Sequence, residues 1–284
     1  MSALLLAVVL AQTPIEAFRD LEYSNVDGIS LKLDLYVPRG GTKSPLVIWI
    51  HGGGWQSGDK SNYQPARVLQ QRHPDLAIAS INYRLSQQAI WPAQLIDCKH
   101  AVIWLRDHAA QYGLDPSRFG VWGSSAGGHL ASVTGYSNEW SGFTQADNER
   151  AKIGVVADYY GPTDFIALAQ TPGYEGHASA SSAESRLVGG PVLTMVEQVR
   201  SANPITYVSK DDPPCFIVHG SADPVVAPGQ SDLLASTLRA KGIFVDHRVI
   251  SGAGHGGPQF TDGSLVDDIY KFFVKSFKIT PRGN

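Results

Sequence analysis

Gly123-Ser124-Ser125-Ala126-Gly127 stands between an apolar run, Arg118-Phe119-Gly120-Val121-Trp122, and Gly128-His129-Leu130-Ala131-Ser132-Val133, which reads as a helix. A Gly-x-Ser-x-Gly set between a strand and a helix is the signature of a nucleophile elbow. The reason is steric. A strand that turns abruptly into a helix forces its central residue into a strained conformation and brings neighbouring backbone very close. Glycines two residues before and two after the serine remove the Cβ atoms that would clash there. The serine hydroxyl is then presented at the tip of the turn. In a chain with 29 glycines the pentapeptide alone is weak evidence, so the remaining sequence has to supply the partners such a serine needs.

The bulk composition sets the frame. The chain has 284 residues, 43% of them hydrophobic and 17% charged, with a formal net charge of -3. That is a globular composition able to bury a sizeable core, and α/β folds of this length form one domain. No basic stretch marks a nucleic-acid partner or an anionic membrane surface. Two cysteines, Cys98 and Cys215, make no disulfide framework and read as buried free thiols, a disulfide or reactive role being the alternative. The run Ser2–Ala11 resembles the apolar core of a secretory signal and is too short to span a bilayer, although no Lys or Arg precedes it. Residues 1–17 are therefore expected to be a signal peptide, or else an apolar arm. A secreted or periplasmic location follows from the first reading and a cytoplasmic one from the second. Residues 18–284 are expected to form a single domain.

Taken in order, Phe18–Val26 and Ile29–Val37 alternate apolar and polar residues around Asp27-Gly28, a β-hairpin by period and turn chemistry. Leu46–Ile50 is a continuous apolar run, as expected of a strand buried on both faces of a parallel sheet. A helix is predicted over Asn62–Gln71, a buried strand over Leu76–Asn82 and a long helix over Pro92–Tyr112. After the elbow, strands are predicted at Ile153–Tyr160, Cys215–His219 and Phe244–Ile250, with helices at Gln230–Lys241 and Leu265–Phe277. Residues 163–210 hold no clear buried strand and read as an insertion capping the active face. Strands alternating with helices imply an α/β architecture, a mainly parallel central sheet with helices on both faces. Functional residues in such sheets gather just beyond the carboxyl ends of strands.

A serine hydroxyl is a poor nucleophile near neutral pH and needs a base, itself oriented by a third group. Asp223, in His219-Gly220-Ser221-Ala222-Asp223-Pro224, follows one predicted strand; His255, in Gly252-Ala253-Gly254-His255-Gly256-Gly257, follows the last. Both lie in the order Ser, acid, His that this arrangement requires. Asp158 and Asp164 are rival acids of lower standing. His219 reads as a structural strand-end residue, with no acid at a suitable distance after it, and His129 as a packing residue of the elbow helix. His73, His100, His108, His177 and His247 carry no signal, and the histidines form no metal-ligand pattern. His51-Gly52-Gly53-Gly54 after the Leu46–Ile50 strand matches a loop that donates N–H groups to a developing oxyanion. The N–H groups of Gly53 and Ala126 are the expected donors, with Gly54 a further candidate and His51 a brace for the loop.

Together these segments resemble the α/β-hydrolase esterases, near the hormone-sensitive-lipase-like group and the bifunctional feruloyl/acetyl-xylan esterase-like proteins. The resemblance is carried by HGGGWQSGDK (51–60), INYRLS (81–86), WPAQLIDCKHAVIWLR (91–106), DPSRFGVWGSSAGGHLA (115–131), YYGPTDF (159–165), ESRLVGG (184–190), ANPITYVSKDDPP (202–214), HGSADPVV (219–226) and GAGHG (252–256). It implies the α/β-hydrolase fold, a triad of Ser125, Asp223 and His255, and no cofactor. The hormone-sensitive-lipase group carries Asp-Pro-Leu around its acid and an N-terminal helical cap, whereas this chain has Ser-Ala-Asp-Pro-Val and a hairpin. The feruloyl/acetyl-xylan-like branch is the better match. The expected substrate is a small ester or an acylated carbohydrate. Trp55, Tyr83, Trp91, Tyr160 and Phe165 are the candidates for an apolar acyl or aryl pocket, with core or rim packing the alternative for each. Two further readings stay open: an arylformamidase-type amide hydrolase, whose loop is similar to His-Gly-Gly-x-Trp, and a catalytically silent binding protein on the same scaffold.

Overall fold

A computed structural model describes residues 13–40 and 43–279. The apolar run Ser2–Ala11, read as a signal core or arm, lies outside them. Strands β1 (Ile15–Val26) and β2 (Ile29–Pro38) form the expected antiparallel hairpin across Asp27-Gly28. β1 begins at Ile15 rather than Phe18, because Ile15, Glu16 and Ala17 pair with Pro38, Val37 and Tyr36. Then come β3 (Ser44–Ile50), α1 (Gln64–Arg72), β4 (Ala77–Ile81), α2 (Ala93–Asp107), β5 (Leu114–Ser124) and α3 (Ala126–Tyr136). The second half holds α4 (Gln145–Arg150), β6 (Val155–Tyr159), α5 (Phe165–Ala169), α6 (Ala183–Val188), α7 (Val196–Ala202) and β7 (Cys215–Gly220). It closes with α8 (Gly229–Ala240), β8 (Val245–Ile250) and α9 (Gly263–Ser276).

The strands make an eight-stranded sheet in the order β1-β2-β4-β3-β5-β6-β7-β8. The β1-β2 and β2-β4 pairings are antiparallel and the others parallel. Burial of both faces can be followed residue by residue. In β3, Leu46, Ile48 and Ile50 enter the core on one side, while Val47 and Trp49 enter the core on the other. In β7, Cys215 and Ile217 oppose Phe216 and Val218 in the same way. The first face is covered by α2, α3 and α8 through Leu95, Val102, Leu130, Val133, Leu234 and Leu238. The second is covered by α1 and α9 through Leu69, Val266, Ile269 and Phe273. This is the α/β-hydrolase architecture expected from the sequence. Cys98 and Cys215 are both buried free thiols, and burial pushes each above the ordinary cysteine range.

Two further boundaries and one helix differ from expectation for identifiable reasons. α2 stops at Asp107 instead of Tyr112, since Gly113 turns left-handed (φ +66°) and Leu114 N–H reaches back to the Ala109 carbonyl. β5 starts at Leu114, because Asp115-Pro116-Ser117 stays extended while the Asp115 carboxylate takes up the Ser117 and Arg118 donors. α4 was not foreseen; Thr144 caps it by accepting from Asp147 N–H. Between β6 and β7 the chain forms α5, α6, α7 and short 3-10 turns with no strand, as expected. Among the described residues no helix is long and apolar enough to cross a membrane.

One buried ion pair ties the β4 loop to α2. Arg84 Nε and Nη2 donate to the Asp97 carboxylate at 2.8 and 2.7 Å, and Arg84 N–H donates to the same group at 2.8 Å. Both residues are buried. Removing one partner strands the other charge out of water, which typically costs about 3–5 kcal/mol. Asp97→Ala is therefore expected to lower the urea unfolding free energy by about that amount. A loss below about 1 kcal/mol would show that the pair does not anchor α2.

Candidate functional site

The elbow is built as steric reasoning requires. Ser125 sits between β5 and α3 with φ +55° and ψ -124°, a left-handed backbone that side chains other than glycine rarely adopt. A Cβ on Gly123 would lie 2.1 Å from the Gly127 carbonyl oxygen, and one on Gly127 would lie 2.1 Å from that of Ile50. Ser125 N–H donates to the Tyr159 carbonyl at 2.8 Å, which fastens the turn to the end of β6. Asp158, a rival acid in the sequence, is consumed here. Its carboxylate accepts from Ser132 Oγ at 2.7 Å and Gly161 N–H at 2.8 Å, binding α3 to the loop after β6. Asp164, the other rival, caps α5 through the Ile166 and Ala167 N–H groups.

The structure brings Ser125, His255 and Asp223 into one line from three loops at the carboxyl ends of β5, β8 and β7. His255 Nε2 lies 2.8 Å from Ser125 Oγ, and His255 Nδ1 lies 2.7 Å from Asp223 Oδ2. Asp223 is 2% exposed, and its other oxygen accepts from the N–H groups of Val225 and Val226 at 2.8 and 2.9 Å. Burial acts to raise its pKa. Hydrogen bonds from His219, His255 and the Val226 N–H outweigh that and hold the carboxyl well below the usual carboxylate range.

His219 corrects the sequence reading, which found no acid suitably placed after it. Its Nε2 lies 3.1 Å from Asp223 Oδ2 and 2.9 Å from the Val226 carbonyl, and Nδ1 meets Ser231 Oγ at 2.7 Å. The acid is Asp223 itself, four residues on and folded back by the turn. His129 is the packing residue expected: fully buried, with Nε2 donating to the Ala202 carbonyl at 2.8 Å and its pKa pushed down to about 4 by burial.

The glycine loop after β3 is equally constrained. Gly53 has φ +110°, and a Cβ there would lie 2.2 Å from the Ser57 carbonyl oxygen. His51 braces the loop: its ring stacks on Tyr83 at 4.4 Å, its Nδ1 meets the Gly52 carbonyl at 2.8 Å, and Tyr83 Oη donates to the His51 carbonyl. The Gly53 and Gly54 N–H groups have no acceptor among the described residues. Ala126 N–H opens α3, where a helix has no internal acceptor to offer.

A cavity of about 380 Å³ opens at Ser125, with Gly53, Gly54, Ala126 and His255 in its wall. Of the expected pocket aromatics, Trp55 and Tyr160 line it. Tyr160 has φ +45° and sets its ring edge-on to His255 at 4.8 Å, while burial pushes its hydroxyl up to about 12. Tyr83, Trp91 and Phe165 do not line it. Tyr83 is spent on His51, Trp91 Nε1 donates to Ser201 Oγ at 3.0 Å, and Phe165 packs behind Trp55 and His129. Each is buried in the layer behind the wall. Sequence reasoning missed His177 and Glu184, which line the cavity from the segment after β6. That segment lies directly on the site: Tyr174 Oη donates to the Asp223 carbonyl, and Ala183 abuts Gly54. Among the described residues no group of three or more His, Cys, Asp or Glu side chains could hold a metal ion.

Comparison with known proteins agrees with this geometry. A family model, BD-FAE, matches residues 33–238, well over half of the chain. Esterase LipQ of Mycobacterium tuberculosis is 33% identical over 213 residues, which is 71% of this chain and 47% of that protein. The chain spans about half the length of the curated relatives it matches. Among solved structures, a truncated carbohydrate esterase from gut microbiota is 30% identical with a TM-score of 0.83, covering 94% of this chain and 99% of that one. A bifunctional GH43-CE protein of Bacteroides eggerthii is 29% identical with a TM-score of 0.78, covering 92% of this chain and 38% of that one. With its fold, its elbow and the extent of the family match all in agreement, the chain belongs to the BD-FAE family.

Proposed function

We propose that this protein is a serine carboxylic ester hydrolase that works through an acyl-enzyme on Ser125. The observation that carries the reading is the unbroken line from Asp223 Oδ2 through His255 to Ser125 Oγ, at 2.7 and 2.8 Å, beside unpaired N–H donors. In this reading His255 Nε2 takes the hydroxyl proton as Ser125 Oγ attacks the ester carbonyl. Asp223 accepts from Nδ1–H, which keeps Nε2 free to act as base and stabilises the imidazolium that forms. The N–H groups of Gly53 and Ala126, with Gly54 beside them, receive the oxyanion. His255 then returns its proton to the leaving alcohol, and a water activated by the same imidazole releases the acid. Short acyl and aryl esters, acetylated or feruloylated carbohydrate among them, are the proposed substrates. The named carbohydrate esterase with the same fold and the modest cavity beside Ser125 support that range.

Ser125→Ala removes the atom that forms the covalent bond. With folding confirmed by circular dichroism, turnover of p-nitrophenyl acetate and butyrate is expected to fall by about 10⁴-fold or more. Unchanged turnover in the folded variant would sink the mechanism.

Asp223→Asn leaves the nucleophile and base in place but favours the wrong histidine tautomer, so kcat is expected to fall by about 10⁴-fold. It also has a stability signature. The folded carboxyl titrates below the ordinary aspartate value of about 4, so its contribution is complete above that pH and is lost as pH falls towards the folded value. The gap in urea midpoint between wild type and Asp223→Asn should therefore narrow as pH falls below about 4. A gap independent of pH down to 3 would mean that Asp223 gains nothing from ionising in the fold.

A further inference from the structure

His177 and Glu184 share the cavity wall with Ser125 and His255, and the ester-cleaving steps make no use of them. Glu184 is 3% exposed, so its carboxylate has been taken almost wholly out of water. Its ion-pair partner is His177, whose Nδ1 stands 2.9 Å from Oε2. Among the described residues Oε2 meets no other donor. No backbone N–H among them compensates it either, in contrast to Asp223, which receives two. A buried ionised carboxylate is costly unless its lone pairs are satisfied. His177 itself is pinned from the other side, with Nε2 donating to the Val225 carbonyl at 2.8 Å. The adjacent Glu184 carboxylate, outweighing burial, holds the imidazole above the ordinary histidine value. Oε2 is closed in by the protein and His177, whereas Oε1 accepts no hydrogen bond among the described residues, so the spare acceptor capacity in the cavity wall lies with Oε1.

Which part of an ester fills it follows from the protonation step. The leaving oxygen has to reach His255 Nε2, and His255 lines this cavity. The neighbouring cavity of about 670 Å³, on the far side of Gly53 between Gln64, Pro258 and Phe260, is not lined by His255. The alcohol part therefore leaves from His255 within this cavity, whose wall includes Glu184. We infer that Glu184, held in place by His177, is a specificity-determining residue that accepts a hydrogen bond from a free hydroxyl on the alcohol part of the ester, close to the scissile bond. The inference rests on the esterase reading and adds to it a requirement on the alcohol. A site built to pair with a hydroxyl rejects the analogue that lacks it, because the buried acceptor is left unmet.

The test compares 2-hydroxyethyl acetate with propyl acetate, which are nearly isosteric, each kcat/KM divided by that ester's rate with hydroxide. Wild type is expected to prefer the hydroxyl ester by about 10- to 100-fold, the range for a hydrogen bond to a charged acceptor. Glu184→Leu should abolish or invert that preference, and Glu184→Gln, which keeps one carbonyl acceptor, should retain part of it. His177→Gln, which frees the carboxylate from its anchor, should reduce it. Fluorophosphonate labelling of Ser125 and thermal melts establish the folded, competent fraction of each variant. A wild-type ratio near one overturns the inference alone and needs no variant to fold. So does an unaltered ratio in folded Glu184→Leu or His177→Gln. Folded wild type that turns over neither ester, nor p-nitrophenyl acetate, brings down the esterase reading and this inference with it.

Discussion

The constraint on which the site depends is the close approach of three backbones at the elbow. β3, β5 and the first turn of α3 meet so tightly that side chains at Gly123 or Gly127 would overlap carbonyl oxygens of Gly127 and Ile50. Interior packing of this density deforms little, so a chain that folds at all must bring these segments to one spacing. Ser125 is the residue left to absorb the turn, and its left-handed backbone is of the kind that costs about 1–3 kcal/mol. The hydrogen bonds from Ser125 N–H to Tyr159 and from His129 N–H to Ser125 offset that cost. Gly128 and Gly161 continue the same packing against the Asp158 carboxylate. The backbone of the nucleophile is set by backbone contacts, and the side chain then meets His255 Nε2.

Two of the buried acids near this elbow, Asp223 and Glu184, are held in opposite ways. Asp223 receives two backbone N–H groups and two imidazoles, one of which, His219, is itself fastened to Ser231 and Val226. These donors outweigh burial and keep the group ionised. Glu184 has one ion-pair partner, His177, and among the described residues no backbone N–H reaches it. The difference is one of origin. Asp223 lies in the turn after β7, where the chain's own amides converge on it, whereas Glu184 lies on the six-residue helix α6 in the cavity wall. A carboxylate oriented by its own turn is suited to orienting a base. One set in a cavity wall is suited to meeting what enters.

The parts of this arrangement that could be read in the sequence are those specified locally. Leu46–Ile50 and Cys215–Val218 are apolar on both faces because the sheet is covered on both sides. The elbow and Asp223 each follow such a run and His255 follows the edge strand β8, and position after a strand in a parallel sheet is itself a placement near the site. What could not be read depends on contacts between distant segments. Trp55, Tyr83, Trp91, Tyr160 and Phe165 are chemically alike as pocket walls, and only tertiary packing sorts Trp55 and Tyr160 into the wall and the others behind it. His177 and Glu184 sit in a segment of short helices, whose stability comes from what they pack on rather than from a periodic stripe. The acid beside His219 was missed for a smaller reason. The turn at Asp223-Pro224 folds the acid back onto it, a reversal that strand-end position does not reveal.

The placement of the base shows how far the site reaches beyond the most recognisable part of the chain. The family match ends at residue 238, before β8 and His255. What brings His255 to the elbow is a seam between the loops that follow β7 and β8. β8 pairs in parallel with β7 as far as Gly220 and Ile250, after which Ser221 N–H meets the Ile250 carbonyl and Ala222 N–H meets that of Ala253. Gly220 lies so close that a Cβ there would stand 2.3 Å from the Ala253 oxygen. This backbone contact sets the separation of the Asp223 and His255 loops before any side chain is considered, just as Gly123 and Gly127 set the position of Ser125. The triad is thus held by two glycine seams, one on each side of His255. A larger residue at either seam would separate the reacting groups even with all three side chains intact, and so catalysis in this fold constrains residues that never touch the substrate.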